Sequence, residues 1–280
     1  MKKFITVLLA IGLHNASCYM LNRPPIGNHV FGREILQKFT TNNMPINNFK
    51  KYSSPLEDDK KTAIFLPALT GNSATAGLYE KFLNIMTKKS FDIYVPDNDL
   101  QPILDDINNT ECNITMIAHS SSAMSAITMS NSIESIKTLI LIDPLDINNK
   151  DSQPQRTVDY NISDINEISK SGDKDKEKKI ILENLDNFLV INTQKSNDWS
   201  IVPFIFPVGV LALKPNRIRI NKNISQEVVK ADEFGHFDIL DDKWSNMIHN
   251  TLSRGCDDRD PVQLEIFRAW LVNKINSVIV

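Results

Sequence analysis

Three side chains in this sequence have the types and chain positions that nucleophilic catalysis requires: Ser120, Asp143 and His236. A serine hydroxyl is a weak nucleophile until an imidazole accepts its proton. A carboxylate must then hold that imidazole in the right tautomer and stabilise its charged form. Ser120 lies in Ala118-His119-Ser120-Ser121-Ser122, after the β-branched run Ile114 to Ile117 and before the helix-compatible spacing of Ala123 to Met129. A serine on a sharp turn between strand and helix needs small residues two before and two after it, so that the backbones can approach. Ala118 and Ser122 meet that demand. Asp143 follows the apolar strand Lys137 to Ile142 and precedes Pro144, and His236 stands in a Gly235-His236 turn after a last strand at Gln226 to Lys230. Open parallel sheets bind ligands at the carboxyl ends of their strands, and all three residues fall there.

Each assignment has a competitor. Serine-rich turns occur without chemistry, and Asp143 could simply end its strand. Asp146 and Asp198 are alternative acids, the latter following a strand at Phe188 to Ile191. His119 is expected to point away from the substrate, because it lies between strand and nucleophile. His249 sits in a polar stretch with no strand before it. An oxyanion needs two backbone donors, one from the residue after the nucleophile and one from the loop after an early strand, here the amides of Ser121 and Leu69. No Cys or His pair has metal-ligand spacing, so neither a metal nor another cofactor is expected.

The elements that must position these groups alternate between strand and helix. Thr62 to Leu66 reads as a buried strand, with turn chemistry from Pro67 to Ser73 and a helix from Ala74. Phe91 to Val95 is a second strand, followed by a helix near Leu100 to Asn108. The strands at 114–117, 137–142, 188–191 and 226–230 follow, and a helix from Pro261 to Val278 closes the chain with Leu264, Phe267, Trp270 and Leu271 toward the sheet. Near-continuous apolar strands alternating with helices imply an α/β class with a mostly parallel sheet covered on both faces. Residues 148–185 read as a variable surface excursion. The apolar stretch 199–213, interrupted by Pro203, Pro207 and Gly209, reads as a lid or pocket wall rather than a membrane span.

The chain has 280 residues, of which 41% are hydrophobic and 23% charged, with a net charge of -3. That is room for one α/β domain, and it gives no electrostatic footprint for nucleic acid. Lys2 and Lys3 precede an apolar run from Phe4 to Leu13 and a short polar segment to Cys18, the pattern of a signal peptide over residues 1–18. The remaining 19–280 is expected to form a single secreted domain with no transmembrane span. Cys112 and Cys256 could then form one bridge or remain two thiols, and Asn108, Asn113, Asn161 and Asn223 are formal glycosylation acceptors.

The run Gly235-His236-Phe237-Asp238-Ile239-Leu240-Asp241-Asp242 resembles the histidine segment of the α/β-hydrolase group that contains plant chlorophyllases and the platelet-activating-factor acetylhydrolases. Ile142-Asp143-Pro144-Leu145-Asp146 resembles that group's acid segment, and the chain order Ser, Asp, His is that of α/β-hydrolases. The resemblance covers about Thr62 to Ile275. Two departures stand out: the group's Gly-His-Ser-x-Gly-Gly is Ala-His-Ser-Ser-Ser-Ala here, and its His-Gly after the early strand is Pro67-Ala68. What it implies is an α/β-hydrolase fold and a serine esterase or lipase-like enzyme cleaving a carboxylic ester, with Ser120, Asp143 and His236 as its triad. The apolar 199–213 stretch separately suggests a small-molecule ester with an acyl chain or other apolar group as substrate. A thioesterase, or a binding protein whose oxyanion loop has lost turnover, remains open beside it.

Overall fold

The computed structural model describes residues 49–68, 71–97, 99–107, 113–145, 180–182, 184–193, 218–220, 224–231, 233–246 and 260–279. Seven of its strands form one sheet in the order β1-β3-β2-β4-β5-β7-β9. They are β1 (Phe49–Tyr52), β2 (Lys61–Leu66), β3 (Phe91–Pro96), β4 (Ile114–His119), β5 (Ile136–Ile142), β7 (Asn187–Thr193) and β9 (Ser225–Ala231). All neighbours pair parallel except the edge strand β1, which runs antiparallel to β3. Two short strands, β6 (Ile180–Leu182) and β8 (Ile218–Ile220), pair parallel in a separate ribbon.

Side chains alternate across this sheet into two cores, as a strand period of two requires. One face carries Ala63, Phe65, Ile93, Ile117, Ile140, Ile142, Leu189 and Ile191 and is covered by α1 (Glu80–Thr87) and α4 (Pro261–Ser277). The other carries Ile64, Leu66, Met116, Leu139, Leu141 and Val190 and is covered by α2 (Gln101–Ile107) and α3 (Ala123–Ser132). Burial on both faces explains why the strands read as continuous apolar runs rather than alternating ones.

Several features differ from the sequence reading. β1 was not expected: Phe49-Lys50-Lys51-Tyr52 has only two apolar residues, and it holds its place as an edge strand, with Phe49 against Tyr94 and Lys51 on Asp106 at 2.9 Å. The helix expected from Ala74 starts as a 3-10 segment, Ser73–Tyr79, capped by the Asn72 side chain on the Ala74 amide, and becomes α-helical only at Glu80. The ribbon β6 and β8 touches the end of the expected excursion. The segment 1–18 and the stretch 199–213 lie outside the described residues, as do Cys112, Cys256, Asn108, Asn161 and Asn223. Among the described residues no helix is long and apolar enough to cross a membrane.

The helix α4 carries a charge within its apolar stripe. Arg268 is fully buried beside Phe267 and Leu271, and its guanidinium donates to the carbonyls of Ile239 and Leu240 and, at 2.8 Å, to Asp242. Lys81 of α1 meets the same carboxylate. Burial pushes the Asp242 carboxyl upward, but its bonds to Lys81 and Arg268 outweigh this and hold it below the usual range. The segment just after His236 is therefore clamped to α4. In Arg268→Met the aliphatic stem persists while two buried carbonyls lose their donor, and the expected loss is about 2–4 kcal/mol. Guanidinium denaturation checks this as a lower midpoint at unchanged slope; an unmoved midpoint would refute the clamp.

Candidate active site

β4 ends at His119, and the chain turns at once through a 3-10 segment, Ser120–Ser122, into α3. Ser120 takes φ 59°, a left-handed conformation that costs an L-residue energy and is held only when its surroundings over-determine it. The surroundings here are tight. Ala118 pairs in register with Leu66 and Leu141 in the centre of the sheet, and the Ser120 carbonyl accepts from the Leu145 amide at 3.0 Å. The serine at 122, standing where the resembled group has glycine, donates its hydroxyl to the Pro67 carbonyl. The small-residue demand is met, and the second serine also ties the elbow to the loop after β2.

The structure brings Ser120, His236 and Asp143 together. His236 Nε2 lies 2.8 Å from Ser120 Oγ, and Nδ1 lies 3.4 Å from Asp143 Oδ2, with all three residues buried. Asp143 also has a positive φ, 43°, and its amide donates to the Ile191 carbonyl of β7 at 2.8 Å. Its carboxylate accepts from the Thr193 amide at 2.6 Å and from the Thr193 hydroxyl. The β7 end thus aims the carboxylate that β5 delivers. Below His236, Asp238 is wholly buried and accepts from the Gly235 amide at 2.7 Å, which closes the turn that presents the imidazole. Asp146, Asp198, His249 and Leu69 lie outside the described residues, and Ser121 occupies the second position of the 3-10 turn.

His119, expected to point away from substrate, is buried beneath the site. Its Nδ1 lies 2.8 Å from the Tyr79 hydroxyl and its Nε2 3.0 Å from the His236 carbonyl, with its ring 4.8 Å from the His236 ring. Burial first, and then the neighbouring His236, hold its pKa well below the ordinary 6.5. Among the described residues, His119, Asp143 and His236 are the group whose potential ligand atoms converge, within 4.8 Å. Both His119 nitrogens already face protein partners, so an ion there would have to displace those contacts.

A pH dependence follows from His119. Below pH 6.5 the unfolded chain protonates this residue while the folded chain does not, so stability present above that value is lost as pH falls toward the folded pKa. The added slope is about 1.4 kcal/mol per pH unit. Urea titrations of wild type and His119→Gln across this range are expected to show the shallower acid limb in the variant. Identical slopes would show that the ring is free to charge.

Sequence reasoning missed Tyr79, Thr193 and Arg268. Arg268 was detectable as a charge inside the apolar stripe of α4, whereas Tyr79 and Thr193 read as ordinary core and strand-end residues.

A mostly parallel sheet with an antiparallel edge strand, helices on both faces, and a serine on a positive-φ strand-to-helix turn is the α/β-hydrolase fold. The chain matches no protein-family model and no curated protein. Solved structures that it resembles include a Staphylococcus aureus protein of unknown function, at 12% identity and TM-score 0.47 over 83% of this chain and 94% of that one. A dienelactone hydrolase from Anabaena variabilis is 7% identical at TM-score 0.44, over 83% and 92% of the two chains. Est1E from Butyrivibrio proteoclasticus, solved with ferulic acid bound, is 10% identical at TM-score 0.44, over 83% and 95%.

Proposed function

We propose that this protein is a serine hydrolase that cleaves a carboxylic ester through an acyl-enzyme. The observation that carries the reading is the 2.8 Å contact between Ser120 Oγ and His236 Nε2 at a left-handed elbow. With Nδ1–H turned to Asp143, Nε2 is the acceptor, so it takes the hydroxyl proton as Oγ attacks the ester carbonyl. The charge that develops on the carbonyl oxygen is met by the amides of Ser121 and Leu69. His236 then returns the proton to the departing alcohol, and the same base activates water to release the acid. Asp143, aimed by Thr193, holds the imidazole and stabilises its charged form.

An apolar acyl or alcohol group is the proposed substrate feature, on the strength of the 199–213 composition. Residues 1–18 are proposed to direct secretion. The likeness of Gly235–Asp242 and Ile142–Asp146 to the histidine and acid segments of the chlorophyllase and acetylhydrolase group supports a place beside that group, which is part of the proposal. The residues Pro67-Ala68, where that group has His-Gly, favour one second reading, a binding protein on a hydrolase scaffold. A fluorophosphonate probe separates the two: the hydrolase is labelled at Ser120, and the binding protein is not. Short and long p-nitrophenyl esters, compared with matched thioesters, then sort acyl length and leaving group.

A further inference from the structure

We propose that Tyr79 and His119 are positioning residues, forming a buried hydrogen-bonded relay that locks the loop after β2 and the backbone of His236 into one geometry. Its catalytic consequence rests on the hydrolase reading above; its structural content does not.

The direction of each bond follows from what each atom can do. The His236 carbonyl only accepts, so His119 Nε2, 3.0 Å away, carries a proton and donates it. Burial keeps the imidazole neutral, and its Nδ1 is then an acceptor facing the Tyr79 hydroxyl at 2.8 Å. The phenolic proton therefore points at Nδ1. The phenolic oxygen in turn accepts the Ala68 amide at 3.0 Å. The chain runs Ala68 N–H to Tyr79 O–H to His119 to His236 C=O, and every donor in it is used. Turning His119 to its other tautomer would set a proton on Nδ1 against the hydroxyl and leave the His236 carbonyl facing a bare nitrogen.

What the relay joins gives it consequence. Ala68 lies in the loop after β2, His119 is covalently next to the nucleophile, and His236 is the base. All four members are buried, and the Tyr79 ring is held edge-on by Phe65 at 5.0 Å. Ala68 is pinned on its other side as well, by Thr75 Oγ1 on its carbonyl at 3.3 Å, while Ser122 holds the Pro67 carbonyl. With its amide committed to Tyr79, Ala68 is not itself an oxyanion donor. Its role is to fix the chain at the end of β2, with its amide on Tyr79 and its carbonyl on Thr75. This is how Pro67-Ala68 can stand where the resembled group has His-Gly: the loop is fixed from beneath by a tyrosine rather than by its own sequence.

The test uses the full chain, with a fluorophosphonate probe and p-nitrophenyl butyrate. Tyr79→Phe keeps the ring and removes only the hydroxyl. It is expected to lower the labelling rate and kcat by roughly 10- to 100-fold with KM nearly unchanged, because displacement of positioned groups by even a fraction of an ångström reduces the chemical step rather than binding. His119→Gln, which retains a donor toward the His236 carbonyl, is expected to fall between wild type and His119→Leu. Ring-nitrogen NMR of wild-type protein is expected to show His119 as the neutral Nε2–H tautomer, which tests the relay even if a variant does not fold. Wild-type rates in both Tyr79→Phe and His119→Leu, or an Nδ1–H ring at 119, overturn the proposal. A wild-type chain that the probe does not label refutes the hydrolase reading and with it the relay's catalytic role, while the NMR result still decides the relay itself.

Discussion

Ser120→Ala is expected to abolish fluorophosphonate labelling and to lower kcat for p-nitrophenyl esters by on the order of a million-fold, to the level left by binding and oxyanion contacts alone. His236→Ala is expected to fall to a similar level, and the double variant no further, because a nucleophile without its base and a base without its nucleophile are the same broken unit. That non-additivity is the discriminating result. Two independent binding residues would give losses that multiply. The choice of 120 among three consecutive serines has a geometric reason: Ser120 alone combines a left-handed backbone with a 2.8 Å contact to an imidazole, whereas the Ser122 hydroxyl is already given to the Pro67 carbonyl. Ser125, exposed on α3, is the control, and its alanine variant is expected to react as wild type. Full activity in Ser120→Ala would refute the mechanism outright.

Much of the arrangement could be read from residue order because the forces that set it are local and repetitive. Strands buried on both faces must be apolar throughout, so Ile114 to Ile117, Leu139 to Ile142 and Phe188 to Ile191 announce themselves. The elbow is legible for a steric reason: a strand-to-helix nucleophile turn demands small residues on either side, and here Ala118 pairs with β2 while the Ser122 hydroxyl reaches the Pro67 carbonyl. What was hidden depends on partners far apart in the chain. Nothing near Tyr79 says that its hydroxyl will meet the ring at 119, and nothing near Thr193 says that it will receive the carboxylate from 143. The edge strand β1 was hidden for another reason. Half of its residues are lysines, as an edge that must stay soluble allows, and its place comes from pairing with β3 rather than from its own hydrophobicity.

The identity of the acid gives the second large effect. Three carboxylates compete by sequence, Asp143, Asp146 and Asp198, and only Asp143 lies within the described residues, with Oδ2 3.4 Å from His236 Nδ1. Asp143→Asn is expected to lower kcat by about ten-thousand-fold while the protein stays folded, because an amide NH2 facing Nδ1 forces the proton to Nε2 and removes the acceptor that Ser120 needs. Asp146→Asn and Asp198→Asn are expected to change kcat by less than about threefold, since neither would then touch the imidazole. Thr193→Val separates aim from charge. It deletes the hydroxyl donor and leaves the backbone amide on Oδ1 at 2.6 Å, so a partial loss of about tenfold is expected, equivalent to one charge-assisted hydrogen bond of about 1.5 kcal/mol. The ranking Asp143→Asn far below Thr193→Val, with Asp198→Asn near wild type, follows if the strand that carries the acid is β5 and the strand that aims it is β7. A collapse of activity in Asp198→Asn with Asp143→Asn intact would reverse those two roles, because the carboxylate on the base would then come from the chain beyond β7, and Thr193 would be holding Asp143 for structure alone.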